Sequence, residues 1–269
     1  MKTRNDKIIS AVLGSLALPV VMLCFVIILT FILSAVRVST FNLTLFKDSE
    51  YFRLFLNIMK NTLLISVISL SVSSPIAYFA AFNLCFIQEG KTRTVLLSII
   101  RILSSYPSVL IGFLVASLFV RNAGTGSFIL YASLVLTMVI LPFLCNNFCN
   151  DMLSVPDSLM LASDAMGMKL SHKLRYIIHP YTRRKTVSSV LLSLCRCIGE
   201  ATALFIVCNA ISLIGGSAQY TFASYILYSF AEGIPQQNTW QMVVLITLIF
   251  TIFYYLLFFL QQKIRGGDR

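Results

Sequence analysis

The chain has 269 residues, of which 58% are hydrophobic and 12% charged, with a net charge of +11. A soluble domain carries about 25% charged residues, so the composition excludes an ordinary water-soluble globule. The positive balance does not point to nucleic acid, because the basic residues sit at the ends of apolar runs, where they report membrane topology.

In chain order, apolar segments run over residues 8–36, 58–87, 95–120, 127–148, 186–214 and 240–261. They lack the strict in–out alternation of barrel strands, so they read as helices. The expected fold is all-α: a six-helix transmembrane bundle forming one domain over residues 1–269. The first segment follows a basic stretch, Met1–Lys7, and is much longer than the apolar core of about 7–15 residues in a cleaved signal peptide. It is read as a spanning helix. Pro75, Pro107 and Pro142 fall inside apolar segments and are expected to kink or break them. The seven cysteines, Cys24, Cys85, Cys145, Cys149, Cys195, Cys197 and Cys208, lie in or beside apolar segments and read as small packing residues. No metal site is expected.

Placing the N-terminus in the cytoplasm puts fourteen basic residues in or beside inner loops, including Lys91, Arg93, Lys169, Lys173, Arg175, Arg183, Arg184 and Lys185. Five, Arg37, Lys47, Arg53, Lys60 and Arg121, then fall outside. That asymmetry favours both termini in the cytoplasm. Two connections stand out. Residues 215–239 form an outer loop without Lys or Arg but with Tyr220, Phe222, Tyr225, Tyr228 and Phe230, which suits either a re-entrant lid or an interfacial aromatic belt. Residues 150–185 form a long inner loop with helix signals of its own.

In that inner loop Pro156 suits a helix start, Leu159 to Met166 favour helix, and Gly167 ends or bends it. Leu170, Leu174, Ile177 and Ile178 then recur at helical spacing until Pro180 closes the second arm. The shape expected is a helical elbow; a plain amphipathic surface helix is the simpler alternative. Ala162, Gly167, Ile177 and Pro180, with Ser163 as a small substitute for a second Ala, resemble the coupling loop of ATP-binding-cassette (ABC) importer permeases of the binding-protein-dependent, type I (MetI-like) family. That pattern is Glu-Ala-Ala-x3-Gly-x9-Ile-x-Leu-Pro. The chain departs from it at Leu161, where the family has Glu, and at His179, where it has Leu; Asp164 is a candidate replacement acid. The resemblance implies that the elbow docks on a cytoplasmic ATPase subunit, with Ala162, Ser163 and Gly167 allowing close packing.

Arg101, Arg196 and Glu200 are the ionisable residues to weigh as buried within the apolar segments, Lys60 standing at the outer edge of its own. A charge at mid-membrane costs at least ~2.5–3.5 kcal/mol, so it usually faces protein and has a role. Arg101 is expected to snorkel. Arg196 and Glu200, four apart, are expected on one helix face, either as a closed packing pair or with Arg196 offering a guanidinium fork to an anion. Gly199 between them is expected to admit a neighbouring helix. The run Arg196-Cys197-Ile198-Gly199-Glu200 resembles the Arg-Ala-Ile-Gly-Glu motif of phosphate-specific permeases. The stretches from Pro75 and from Tyr106 resemble the same family, and Phe230-Ala-Glu232 leans towards its A-type over its C-type subunit. This likeness covers about residues 57–262.

The resemblance therefore implies a permease subunit of an ATP-driven importer, with inorganic phosphate as substrate and Arg196 and Glu200 on its path. It implies a cytoplasmic ATP-binding subunit pair, a second homologous permease, an extracytoplasmic phosphate-binding protein and surrounding membrane lipid as partners. No phosphate-loop motif is present, so no ATPase of its own, no cofactor, no catalytic residue and no nucleic-acid partner are expected. The alternatives are a permease for another oxyanion or small solute, a membrane-embedded enzyme, or an assembly protein. The enzyme would need clustered interfacial acids, and the ten acidic residues are scattered.

Overall fold

The computed structural model describes residues 49–87, 90–120, 128–213, 219–231 and 237–266. The expected first span at residues 8–36, with Cys24, lies outside these residues. The described elements are helical: α1 (Ser49–Phe82), which ends in a π-helical turn at Asn83–Ile87, α2 (Gly90–Ser104), α3 (Ser108–Val115) and α4 (Phe128–Met152). Then come α5 (Asp157–Ala165), α6 (Leu170–Lys173), α7 (His179–Gly199), α8 (Thr202–Leu213), α9 (Phe222–Ala231) and α10 (Gln237–Gly266). Three helices, α1 with its π turn, α4 and α10, are long and apolar enough to cross a bilayer unbroken. Two bent pairs, α2 with α3 and the α6–α7 rod with α8, bring the crossings to as many as five.

Helix α4 is the centre. It is apolar on every side, as a helix surrounded by protein must be, and Leu136, Ile140 and Leu144 are fully buried. It packs against α1, α2, α7 and α8. Helix α1 meets it through a stripe of small residues at three- and four-residue steps, the buried Ser66, Ser69, Ser73, Ala77 and Ala81. Small side chains let two backbones approach where lipid supplies no hydrophobic drive between helices. Ser69 Oγ donates to the Ser133 carbonyl at 3.0 Å and Cys85 Sγ to the Cys149 carbonyl at 3.8 Å, both at a sequence separation of 64. A constant offset means that α1 and α4 run parallel, so α2 and α3 must carry the chain back between them. Between α4 and α7 the sum of residue numbers stays nearly constant instead. Ser189 Oγ donates to Asp151 Oδ2 at 2.6 Å and Lys185 Nζ to Ser154 Oγ at 2.7 Å, so this pair is antiparallel.

The third expected segment, residues 95–120, is not one straight span. It bends by 85° between α2 and α3 at Ser105–Pro107. Pro107 has no N–H to donate and disfavours helical backbone at Tyr106. The hydroxyls of Ser104 and Ser105 both turn back to the Arg101 carbonyl, at 2.8 and 3.2 Å. Helix α2 is amphipathic with no fully buried residue, and Arg101 is exposed on it. By contrast α1 and α4 run through Pro75 and Pro142 without interruption.

The expectation for Pro180 is also corrected. It does not close the elbow but lies in the first turn of α7. A proline ring crowds the carbonyl four residues back, here Tyr176, and the chain answers with a π-helical turn over Leu174–Ile178. Residues Leu170–Gly199 therefore form one rod, about 45 Å long at 1.5 Å per residue.

Gly112 is where α3 and α8 touch. A Cβ there would stand 2.9 Å from the Cα and carbonyl oxygen of Ala203, both backbone atoms that cannot turn aside. Gly199, expected to admit a helix, has no atom within 4 Å of its would-be Cβ, so the close approach belongs to Gly112 instead. Gly112→Ala should therefore destabilise the full-length chain in detergent by about 1–3 kcal/mol, the usual range for overpacking. Thermal unfolding should show a midpoint several degrees lower, with Gly199→Ala unchanged. Equal midpoints for the two variants would refute the contact.

Candidate functional site

Two places gather the residues singled out from the sequence. The first is the elbow. Met152 ends α4, and Pro156 opens α5 by preceding its first residue with an extended backbone (φ −60°, ψ 135°). Gly167 ends the arm at φ +64°, a left-handed conformation that glycine adopts without strain. The Met168 N–H then bonds back to the Ser163 carbonyl at 3.1 Å. Across this corner Lys173 of α6 forms a salt bridge with Asp164 of α5. Lys173 is buried and Asp164 largely exposed, so the acid neutralises an ammonium that the fold has already taken from water. Asp164 therefore pins the elbow's two arms together, and does not stand free as a substitute for the family's Glu.

Ser163 points inward. It is 1% exposed and its hydroxyl bonds to the Met160 carbonyl at 2.6 Å, so it is not part of an outward packing face. Ala162 and Gly167 are exposed, as expected. Beside them stand Leu161 at 68%, Met166 at 74% and Tyr176 at 61% exposure. These large apolar groups cap the end of the bundle, on a segment rich in Lys and Arg. Asp151, which sequence reasoning passed over, is buried at the base of the elbow, where it holds Ser189 of α7. Its place at the end of an apolar run, five residues before Pro156, was the available signal.

The second place is the junction of the two bends. Helix α7 stops at Gly199, Glu200 takes extended backbone (φ −73°, ψ 111°), and α8 departs at 47°. The expectation of Arg196 and Glu200 on one continuous helix face therefore fails, because the helix ends between them. Glu200 reaches across to the other break. Its Oε1 accepts from Ser108 Oγ at 2.7 Å and Thr202 Oγ1 at 3.3 Å, and the two hydroxyls lie 3.1 Å apart. Ser108 opens α3, so the carboxylate sits at that helix's positive end. Arg196 lies half-buried with its guanidinium 4.3 Å over the Phe143 ring of α4 and Nη2 at 3.5 Å from the Ser104 carbonyl. That carbonyl belongs to the last turn of α2, where the helix leaves acceptors unmatched.

Among the described residues no salt bridge joins Arg196 to Glu200. Among the described residues the cation therefore rests on a ring face and one long hydrogen bond, which leaves most of its donors uncommitted there. Ser104, Ser108, Thr202 and Phe143 complete this junction and were not foreseen. Serine, threonine and phenylalanine are too common in apolar helices to stand out, and Pro107 was the one local signal that a break lay nearby.

The described cysteines are free and buried, and no cluster of His, Cys, Asp or Glu among the described residues could hold a metal. On the open side of the bundle, α9 lays its aromatic residues back on the core. Phe222 stacks on Phe250 at 4.2 Å and Tyr220 meets Tyr228 at 4.6 Å.

Comparisons with known proteins give this geometry a family. Residues 73–266 match the model of the "binding-protein-dependent transport system inner membrane component". The probable ABC transporter permease protein YqgH of Bacillus subtilis is 27% identical over 146 residues, covering 52% of this chain and 47% of that one. The phosphate transport system permease protein PstA 2 of Mycobacterium bovis is 24% identical over 148 residues, 55% of this chain and 49% of its own. The phosphate transport system permease protein PstC of Haemophilus influenzae is 26% identical over 221 residues, 71% and 70%. The chain thus spans about half the length of the first curated relatives it matches, and more of PstC. Among solved structures, an inward-facing MetNI methionine ABC transporter chain superposes with a TM-score of 0.63 at 18% identity, covering 82% of this chain and 100% of that one. The matched region takes in both the elbow and the two-bend junction, and the chain belongs to the family of binding-protein-dependent transport system inner membrane components.

Proposed function

We propose that this protein is the permease subunit of an ATP-driven importer and that it passes inorganic phosphate through the junction of its two bends. The observation that carries the reading is mechanical. One unbroken rod, Leu170–Gly199, has the elbow at one end and Arg196 three residues from the other. A push on the elbow is delivered at the point where the chain carries an uncommitted cation and a break.

The elbow's exposed Leu161, Met166 and Tyr176 suit a protein surface better than water. The partner proposed is an ATP-binding subunit in the cytoplasm, present as a pair, with the chain itself performing no hydrolysis. A second, homologous permease would complete the pore, and an extracytoplasmic binding protein would deliver the anion. Both chain termini lie in the cytoplasm in this arrangement, which places the elbow inside and the α9 end outside. Residues 1–269 act as one domain, with residues 150–185 as its coupling loop.

Phosphate is proposed for three reasons. A guanidinium offers a planar fork that matches two oxyanion oxygens. The cation is not cancelled by Glu200, which is occupied by Ser108 and Thr202. The relatives include permeases named for phosphate transport. Glu200 then serves as the fixed charge that holds the two breaks together and repels the anion onward once it has left Arg196.

The test is ATP hydrolysis by the reconstituted complex, comparing phosphate with sulfate and molybdate. Phosphate alone should stimulate it; equal stimulation by sulfate or molybdate would move the assignment to another oxyanion. Arg196→Gln should lower phosphate uptake about 10- to 100-fold, the worth of one charge-assisted contact of about 1.5–3 kcal/mol. The complex should still co-purify. Normal uptake by Arg196→Gln would remove the residue from the path. A second prediction concerns the elbow. Asp164→Ala strands the buried Lys173 ammonium and should uncouple hydrolysis from uptake, whereas Lys173→Met removes the charge with its burial cost and should be tolerated better. Coupling ratios in proteoliposomes compare the two, and the reverse order would discard the clamp.

A further inference from the structure

A cavity of about 250 Å³ opens at the end of the bundle opposite the elbow, and nothing above assigns it a role. Its polar wall is made by Asn57, Lys60 and Asn61 of α1 and by Gln219, with Tyr220 and Ile129 closing the sides. The residue offset that relates α1 to α4 places Lys60 level with a point about one turn beyond Phe128, the first residue of α4. The cavity therefore lies at the rim of the bundle, not within it.

The wall is held rigid by backbone contacts. Asn61 is 8% exposed and its Nδ2 donates to the Tyr220 carbonyl at 3.4 Å. Thr62 Oγ1 accepts the Phe222 N–H at 2.8 Å, and the Gln219 carbonyl accepts from Cys208 Sγ at 2.9 Å. The segment from Gln219 to Phe222 is thus laced to α1 on one side and α8 on the other. Lys60, Asn57 and Gln219 bring an ammonium and two further side-chain amides to this lining, beside the apolar Leu54, Ile58 and Ile129. Among the described residues no carboxylate pairs with Lys60. A cation beside amide donors, uncancelled by an acid, is a receptor for an anion. The volume is below the range of about 300–1,000 Å³ typical of pockets for drug-sized ligands and suits a small polar group.

We propose that this cavity binds a phosphate group, with the Lys60 ammonium as its charged contact and the Asn57 and Gln219 amides as its donors. At the membrane rim that group has two sources: free inorganic phosphate, or the phosphodiester of an anionic phospholipid headgroup. The site does not depend on Arg196 and stands or falls separately from the path proposed above.

The experiment is a pair of titrations on the full-length chain purified in detergent, one with inorganic phosphate and one with short-chain phosphatidylglycerol. Native mass spectrometry reads the occupancy. Each is run on the wild type and on Lys60→Gln, Gln219→Leu and Lys60→Arg, and all are repeated with Arg196→Gln added, so that binding in the pore is subtracted. Lys60 is exposed, so Lys60→Gln should not disturb folding. Lys60→Gln should weaken one ligand about tenfold, Gln219→Leu should weaken the same ligand less, and Lys60→Arg should retain it. If phosphate is the ligand weakened, the cavity is a receiving site for the free anion. If phosphatidylglycerol is, it is a headgroup site. Lack of binding by either ligand in the Arg196→Gln background, or binding of both at wild-type strength by Lys60→Gln, overturns the proposal. Loss of uptake by Arg196→Gln alone, with the Lys60 titrations unchanged, would bear on the pore and not on this site.

Discussion

In lipid every backbone N–H and carbonyl has to find a partner inside the protein, because the hydrocarbon core offers none. A helix that breaks within the bundle releases several such groups at once. This chain breaks two helices, at Ser105–Pro107 and at Glu200–Ala201, and brings the two breaks together. Glu200 reaches the start of α3 through Ser108, and Arg196 reaches the end of α2 through the Ser104 carbonyl. The α7–α8 break thus supplies both charged groups, and the α2–α3 break supplies the hydroxyl and the carbonyl that receive them. The pairing also explains why a carboxylate and a guanidinium four residues apart do not close on each other: each has a helix end of opposite polarity to serve.

The same constraint orders the rest of the bundle. The small-residue stripe of α1 lets it lie against α4 in parallel, and the backbone hydrogen bonds of Ser69 and Cys85 keep the two in register. Two parallel neighbours demand a return path, and the bent α2–α3 pair provides it. Gly112 lets α3, the second limb of that path, press against α8 at Ala203, just after the second break.

Much of this was legible in the sequence. Within the described residues the apolar runs mark three unbroken helices and two bent pairs, and Gly167 marks the corner of the elbow through the left-handed backbone that glycine adopts without strain. Pro107 gave the break in α2–α3. The misreadings have one physical root. A proline such as Pro180 signals a helix stop because an α-helix leaves no room for its ring, yet a π turn upstream makes that room. Arg196 and Glu200 were placed on one face because spacing assumes that the helix continues, and nothing local between Cys197 and Thr202 forbids it. The helix ends there because tertiary partners, Ser108 above all, satisfy Glu200 better in extended backbone. Gly199 looked like a contact residue and Gly112 did not, although only Gly112 has a backbone against it. Which glycine is pressed depends on where helices cross, and periodicity carries no information about crossings.

Rigid and compliant parts alternate along the path from elbow to junction. The Lys173–Asp164 bridge and the Gly167 corner fix the angle between the elbow's arms, so a force on α5 is not absorbed there. The rod from Leu170 to Gly199 carries no break, and Asp151 and Ser154 hold its lower part against α4 through Ser189 and Lys185. Compliance begins at Glu200, where the backbone leaves helical geometry. At this end of the rod, Arg196 and Glu200 are held by contacts of unequal strength, a long hydrogen bond and a ring face for the cation against two hydroxyls for the acid. Of the two sets, the one that holds the cation is the weaker. The end of the rod thus carries one loosely tied charge, Arg196, and one firmly tied charge, Glu200, which joins the two breaks through Ser108.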